Sequence, residues 1–521
     1  FITRPCRFGK TLGMSMLESF FDIRKDSKSL FDGLEITQNL NLCHEWMNQY
    51  PTVFVSFRQV DGLNFTGAYD MLTTVIAELY KGHLYLMDSD KISPYDKEIA
   101  RKLICANASP KDTKRSLLLL TKLLQQHYGK PVILLIDEYD VPLAKATSHG
   151  YYNEMLDVMK GLVQALKDNQ ALRFAIITGC LKIAKESIFT GLNNLQIFSI
   201  MSTKFDDSFG FTQEEINAML ECYDLTDKSS DIAHWYDGYK FNDVDIYNPW
   251  SVLNYLSEAV EKSSALCKPY WSNTSSNEIV KRLIEESNDR TKNAIEELIN
   301  GTPVRAQIYE DITYGTIDVN SEYIWSFLLF TGYLKVTTYE TIGDETYYEM
   351  VIPNTEVKSI YKNTIRAWFE KKINADSRTD IIESIIYGEP EKLEKQLRHW
   401  LLTTISYHDE QESYYHGFVT GLVSGFADYE VLSNIESGEG RFDLVVKQRS
   451  DAEYAAILEF KIAKTYKEMS AKCDEALRQI EEKNYIAGLQ DELYRNVSKY
   501  GICFCKKRCQ VKFGGVDRFE Y

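Results

Sequence analysis

Gly440-Arg441-Phe442-Asp443-Leu444-Val445-Val446 and Ala455-Ala456-Ile457-Leu458-Glu459-Phe460-Lys461 decide how the C-terminal part of this chain is read. Each joins a short apolar run to a carboxylate at one end, and such runs bounded by turn residues predict two β-strands. Side chains alternate across a strand, so Glu459 and Lys461 share one face, Phe460 takes the other, and a facing strand sets Asp443 beside them. Two carboxylates and an ammonium then converge. Oxygen ligands of this kind suit Mg²⁺ or Mn²⁺, and a lysine nearby positions a water or stabilises developing negative charge. The expected site is a metal-dependent phosphodiesterase centre, with Asp443, Glu459 and Lys461 catalytic and the two carboxylates as metal ligands. The plain alternative is a pair of surface charges, which a chain with 26% charged residues offers often. The strand-end position and the Gly-Arg turn weigh against it. Glu436 is a candidate for a further metal oxygen, or else a solvated loop carboxylate.

Downstream, Tyr466, Met469, Cys473, Leu477 and Ile480 recur at spacings of three and four, which predicts one face of an amphipathic helix against these strands. Upstream, Glu412 and His416 stand four apart, either as contributors to a metal site or as a helix-surface pair.

A second signature opens the chain. Arg4-Pro5-Cys6-Arg7-Phe8-Gly9-Lys10-Thr11 runs into an apolar stretch and reads as a phosphate-binding loop that starts a helix. Arg7, Gly9, Lys10 and Thr11 are expected at the phosphates of ATP, with the Thr11 hydroxyl on Mg²⁺. Arg4 takes the place of the loop's first glycine, so the tightest turn must be made differently. Arg4 and Arg7 serve the phosphates either in cis or across the interface of a homo-oligomer. Val132-Ile133-Leu134-Leu135-Ile136 is a buried-strand run ending in Asp137-Glu138. Asp137 is expected to hold Mg²⁺ and Glu138 to orient or deprotonate the attacking water. Phe174-Ala175-Ile176-Ile177 ends at Thr178, a candidate γ-phosphate sensor or a simple strand-end residue.

Asp443 and Glu459-Phe460-Lys461 resemble the Asp and E-x-K core of the PD-(D/E)XK nuclease superfamily, and Gln479 and Tyr485 look like the Gln and Tyr that follow the catalytic strands in many members. The N-terminal loop, Ile136-Asp137-Glu138-Tyr139-Asp140, Ser187 to Asn194, Trp235-Tyr236-Asp237-Gly238-Tyr239 and Tyr247-Asn248-Pro249-Trp250-Ser251 resemble, in that order, bacterial AAA-ATPase-like proteins ending in such a nuclease domain. Cys6 stands where that family usually has another Arg. The resemblance implies an α/β multidomain fold: an AAA-like P-loop core over 1–205, a helical lid over 206–300, a winged-helix-like or connector domain over 301–388, and a restriction-endonuclease-like domain over 389–521.

At 521 residues, more than one core is expected. No run reaches membrane-span length, no signal pattern opens the chain, and ten dispersed cysteines read as reduced thiols, so the expected setting is cytoplasmic with no membrane partner. Without an initial Met, and with only Phe1-Ile2 before the loop, some N-terminal sequence is expected to be missing. Cys503, Cys505 and Cys509 cluster in sequence without a fourth ligand nearby. The net charge of −17 argues against broad attraction to a polyanion, yet residues 391–521 carry 19 Lys and Arg against 22 Asp and Glu, so the acidity lies mostly before them. Thr212-Gln213-Glu214-Glu215 predicts a capped helix at the start of the lid. The aromatic phrases at 235–239 and 247–250 are expected to pack between subdomains rather than to stack a base. Together these residues point to an ATP-regulated, metal-dependent nuclease acting on nucleic acid, DNA rather than RNA. The alternative is a nucleotide-sensing switch whose nuclease fold does not cut.

Overall fold

A computed structural model describes the chain except residues 183–194, 263, 274–275, 318–319, 362–374, 405–411, 424–425, 427, 434–435, 438–439, 450–452, 484, 507 and 520–521. The Ser187 to Asn194 phrase therefore lies outside the described residues, as do the side chains of Glu412 and Glu436. The chain divides into two compact units, 1–361 and 362–521.

The first unit is built on four parallel strands, β1 (Ile2–Thr3), β2 (Thr52–Ser56), β3 (Val132–Asp137) and β4 (Leu172–Gly179), in the order β1-β4-β3-β2. Helices on both faces bury β3 completely, which is why its sequence is continuously apolar rather than alternating. The helix Lys10–Phe21 lies against this sheet through Met14, which packs with Ile133 and Leu135. Burial of such side chains is worth about 1.5–3 kcal/mol each and fixes where the loop before the helix emerges.

Beyond the sheet, Thr212 and Glu215 form the capping box of helix Gln213–Cys222. A short hairpin of β5 (Tyr239–Phe241) and β6 (Val244–Ile246) follows, with Tyr236, Tyr239 and Tyr247 buried as core. Trp235 is partly buried against this core, and Trp250 is 39% exposed. Three antiparallel strands, β7 (Val304–Gln307), β8 (Lys335–Ile342) and β9 (Glu345–Val351), complete the unit in the order β7-β9-β8. Among the described residues no helix is long and apolar enough to cross a membrane.

The second unit holds a five-stranded sheet of β10 (Tyr429–Ser433), β13 (Leu444–Gln448), β14 (Tyr454–Ile462), β15 (Asn496–Cys505) and β16 (Arg508–Arg518), in that order. Two short strands, β11 (Glu436–Ser437) and β12 (Gly440–Arg441), pair with each other just before β13. Among the described residues of this sheet, only β14 and β15 run parallel. Helices Ala375–Ile386, Pro390–Thr404 and Glu412–Val423 share one core with Leu444, Leu458 and Phe460. Ile381, Ile382, Ile385 and Ile386 belong to that core, so the unit begins before residue 389, where the sequence places its start. The opposite face, with Val445, Ala455 and Ile457, is covered by Ile480 of helix Met469–Glu482 and by Tyr485.

The amphipathic face predicted there is present in Met469, Cys473 and Ile480, with Leu477 partly buried. Tyr466 departs from it. It precedes the helix, is 45% exposed, and lies under the Arg508 guanidinium at 4.4 Å. Gly501 on β15 lets the helix approach, because a Cβ there would meet the Cys473 carbonyl oxygen at 2.3 Å. Gly501→Ala is expected to push the helix off the sheet and destabilise this unit by about 1–3 kcal/mol, as overpacking does. Chemical denaturation of the full chain checks it, and an unchanged midpoint of the corresponding transition would contradict this packing.

Candidate functional site

Parallel strands bring their C-terminal ends to one edge, and that edge gathers the N-terminal candidates. Asp137 ends β3 and is completely buried. Its Oδ2 accepts from Thr11 Oγ1 at 2.8 Å and Ser56 Oγ at 3.1 Å, and its Oδ1 accepts from Thr178 Oγ1 at 2.6 Å. Thr11 comes from the helix start, Ser56 from β2 and Thr178 from β4. Thr11, Asp137 and Thr178 are thus brought together as their strand and helix positions predict. Ser56 was not anticipated, although it ends an apolar strand run in the same manner as Thr178.

The loop makes its turn with Arg7 at φ 72° and Gly9 at φ 85°, both left-handed. Glycine adopts that region freely, whereas Arg7 holds it at a steric cost. Lys10 is buried, and its Nζ donates to the carbonyls of Arg4 and Pro5, each at 3.0 Å. It also lies 3.6 Å from Glu138 Oε1 and 3.7 Å from Cys180 Sγ. Burial alone would lower the Lys10 pKa, but Cys180 and Glu138 outweigh it and raise the value. Glu138 follows the strand at φ 52°, and its buried Oε2 has no hydrogen-bond partner among the described residues.

Asp140 also faces this edge. It accepts from the backbone N–H of Cys180 at 2.9 Å and of Leu181 at 3.1 Å, and from the Tyr314 hydroxyl at 3.2 Å. Burial, then Glu138, pushes its carboxyl up to about 6.

The two arginines separate in role. Arg4 is completely buried, donates to the Thr3, Phe198 and Phe205 carbonyls, and packs its guanidinium on Phe209 and Phe241. Burial pushes it down to about 10. The expectation that Arg4 reaches phosphates is corrected: the three carbonyls hold it inside the unit. Arg7 places its guanidinium 4.3 Å from the centre of the Trp250 ring, so the Tyr-Asn-Pro-Trp phrase supports the loop.

In the second unit, the register of β13 on β14 sets Leu444 opposite Leu458, which leaves Asp443 beside Glu459. Asp443 Oδ2 accepts from the Phe460 N–H at 2.7 Å. Lys461 Nζ donates to Glu459 Oε1 at 3.1 Å. Glu459 is buried, and its Oε2 has no hydrogen-bond partner among the described residues. Burial, then the Asp443 carboxylate, pushes Glu459 up to about 7. An unpaired buried carboxylate oxygen beside a second carboxylate is costly unless a cation compensates it, so Asp443 and Glu459 fit a divalent ion that takes oxygen ligands.

Gln479 Nε2 donates to the Tyr485 hydroxyl at 3.2 Å, and these lie on the same side of the sheet as Glu459. His416 Nε2–H donates to the Asp443 carbonyl at 2.7 Å, so it props the backbone of Asp443. Among the described residues no three His, Cys, Asp or Glu side chains come together as a ready metal cage.

Comparison with known proteins agrees with this two-part architecture. Residues 1–189 match the AAA-ATPase-like family, described as a predicted AAA-ATPase, and residues 410–514 match the PD-(D/E)XK nuclease superfamily. A protein of Azotobacter chroococcum mcd 1, described as an uncharacterized protein in the vnfD 5′ region, is 27% identical over 364 residues, covering 69% of this chain. The chain spans 61% of that relative's length. The chain therefore carries an AAA-ATPase-like N-terminal domain and a C-terminal PD-(D/E)XK nuclease superfamily domain, and supports nucleotide binding together with a nuclease fold.

Because the folded-state pKa of Glu459 is raised, its contribution to stability is full below the unfolded value of 4.5 and is lost as pH rises through about 7. Glu459→Gln is accordingly expected to raise the unfolding midpoint of metal-free protein at pH 8 and to leave it little changed at pH 4.5. Mn²⁺ should raise the midpoint of the parent chain at pH 8 and not that of Glu459→Gln. Thermal unfolding with and without Mn²⁺ checks both, and equal stabilisation of the two proteins would remove Glu459 from the ion's ligands.

Proposed function

We propose that this AAA-ATPase-like chain with a PD-(D/E)XK domain is an ATP-regulated, Mg²⁺- or Mn²⁺-dependent nuclease of the cytoplasm that cleaves DNA in preference to RNA. The observation that carries the reading is the unpaired Glu459 oxygen set beside Asp443 and Lys461. A divalent ion bound there supplies Lewis acidity toward a phosphoryl oxygen and makes a water more acidic. Asp443 and Glu459 would hold that ion, while the Phe460 N–H and the His416 ring fix Asp443 in place. The Lys461 ammonium orients the water and balances charge that develops on the phosphate. Glu436 is a candidate for one further oxygen ligand.

At the other site, Gly9 and the helix start cradle phosphates, and Lys10 reaches them by exchanging its bonds to the loop carbonyls. Thr11 and Asp137 would supply the oxygen ligands for Mg²⁺ once the Thr11 hydroxyl turns from Asp137, Thr178 would read the terminal phosphate, and Glu138 would orient the attacking water. Arg7 contributes from its place on Trp250. Nucleotide state then biases access to the nuclease residues, either within one chain or across a homo-oligomer.

A second reading is a nucleotide-sensing switch whose nuclease fold binds without cutting. It is favoured by the strong retention of Lys10 by the Arg4 and Pro5 carbonyls and Glu138, which suits slow or absent turnover.

Cleavage of DNA and RNA is measured with Mg²⁺ or Mn²⁺, with and without ATP. Asp443→Ala and Lys461→Ala are each expected to lose about 100-fold or more in rate, the scale of removing a transition-state contact. Lys10→Ala should weaken ATP binding and abolish the ATP response while sparing metal binding at the second site. Rates equal to the parent in Asp443→Ala would end the nuclease assignment, and ATP-dependent assembly without any product would favour the switch.

A further inference from the structure

Beside the phosphate-binding loop lies a pair of thiols that none of the nucleotide chemistry uses. Cys6, in the middle of the loop, and Cys180, just past β4, have sulfurs 3.2 Å apart. Two sulfurs at that distance are within small side-chain adjustments of a disulfide, whose bond length is about 2.05 Å. A cavity of about 50 Å³ opens onto both thiols, and its lining includes Asp140, Lys145, Tyr314 and Phe327. It has room for a molecule little larger than water. Cys6 is half-buried and Cys180 is buried.

We propose that Cys6 and Cys180 form a peroxide-responsive dithiol whose closure to a disulfide holds the loop in the arrangement where its own carbonyls retain Lys10, and so lowers nucleotide affinity. The inference rests on the reading of this loop as the nucleotide site.

The chemistry balances. The Cys6 thiolate attacks one oxygen of hydrogen peroxide, the O–O bond breaks, and the departing hydroxide takes up the thiol proton as water. Cys6 is then a sulfenic acid, and the Cys180 sulfur attacks it, forming the S–S bond and releasing the second water. Two thiols are oxidised and one peroxide is reduced to two waters.

Exposure assigns the roles. Cys6 is half-buried and is the sulfur that peroxide reaches first, whereas Cys180 is buried behind it at 3.2 Å. The Lys10 ammonium, 3.7 Å from Cys180 Sγ, supplies positive charge that favours thiolate in the pair. Cys6 is therefore the attacking sulfur and Cys180 the resolving one.

The mechanical consequence follows from position. Cys6 directly follows Arg4 and Pro5, whose carbonyls hold Lys10. Cys180, just past the buried end of β4, is fixed through its N–H to Asp140. A bond between them ties the loop to the sheet edge. The loop then resists the movement by which Lys10 would exchange carbonyl oxygens for phosphate oxygens.

The full chain is reduced with dithiothreitol or treated with hydrogen peroxide, alkylated, and mapped by peptide mass, with Mg·ATP binding measured calorimetrically on both forms. The expected result is a Cys6–Cys180 cross-linked peptide and a rise in Kd of roughly tenfold, within the usual range of coupling between sites, reversed by dithiothreitol. Cys6→Ser and Cys180→Ala should each give the same Kd before and after peroxide. Both thiols still alkylated after peroxide, sulfinic acid at Cys6 without a cross-link, or a cross-linked protein with unchanged Kd would each overturn the proposal. If the reduced chain binds no ATP, the nucleotide reading itself fails and the regulatory claim with it. The peptide map reports separately whether the dithiol closes.

Discussion

The first unit depends on keeping one buried carboxylate content. Asp137 ends a strand with no solvent on either side, where an isolated charge would be intolerable. Hydroxyl donors from three other elements meet it, and each must arrive at a fixed height: Ser56 from β2, Thr178 from β4 and Thr11 from the helix start. That requirement ties the strand register to the position of the loop that precedes the helix Lys10–Phe21. A slip of one residue in either neighbouring strand would turn an apolar side chain toward the carboxylate.

The second unit meets the same physical problem with a different answer. Glu459 is buried beside Asp443, but Lys461 reaches only one of its oxygens and the other has no partner among the described residues. Folding by itself gains nothing from such a group. The cost is borne by the core on both sides of the sheet, where Leu458 and Phe460 pack into one layer and Ile457 into the other. Strained or unsatisfied groups persist only where surrounding packing overdetermines them, and they concentrate at sites that bind something.

Strand ends were legible because short apolar runs bounded by polar or turn residues mark both a strand and its terminus. Asp137, Thr178, Asp443 and Glu459 stand where period-two alternation and run length place them. The helix carrying Cys473 and Ile480 was legible from its period, whereas its start was not, since Tyr466 continues the spacing without belonging to the helix. Ser56, Cys180 and Asp140 were missed for a common reason. Their importance comes from long-range pairings, such as Cys6 with Cys180, that local sequence does not encode. His416 was visible only as half of a spaced pair, and its bond to the Asp443 carbonyl requires the fold.

Arg4 shows how the loop works without its first glycine. A glycine there would leave the turn to backbone freedom, but Arg4 instead inserts a guanidinium into the unit and satisfies the Thr3, Phe198 and Phe205 carbonyls. The turn is displaced to Arg7 and Gly9, both at positive φ, and Arg7 is steadied by Trp250. The loop is thereby braced at both ends, and its middle, Pro5 and Cys6, closes over Lys10. On the proposed reading, phosphate binding here exchanges the Arg4 and Pro5 carbonyl oxygens on Lys10 for phosphate oxygens. Its free energy is a small difference between two well-bonded states, so a modest constraint in the loop shifts it appreciably.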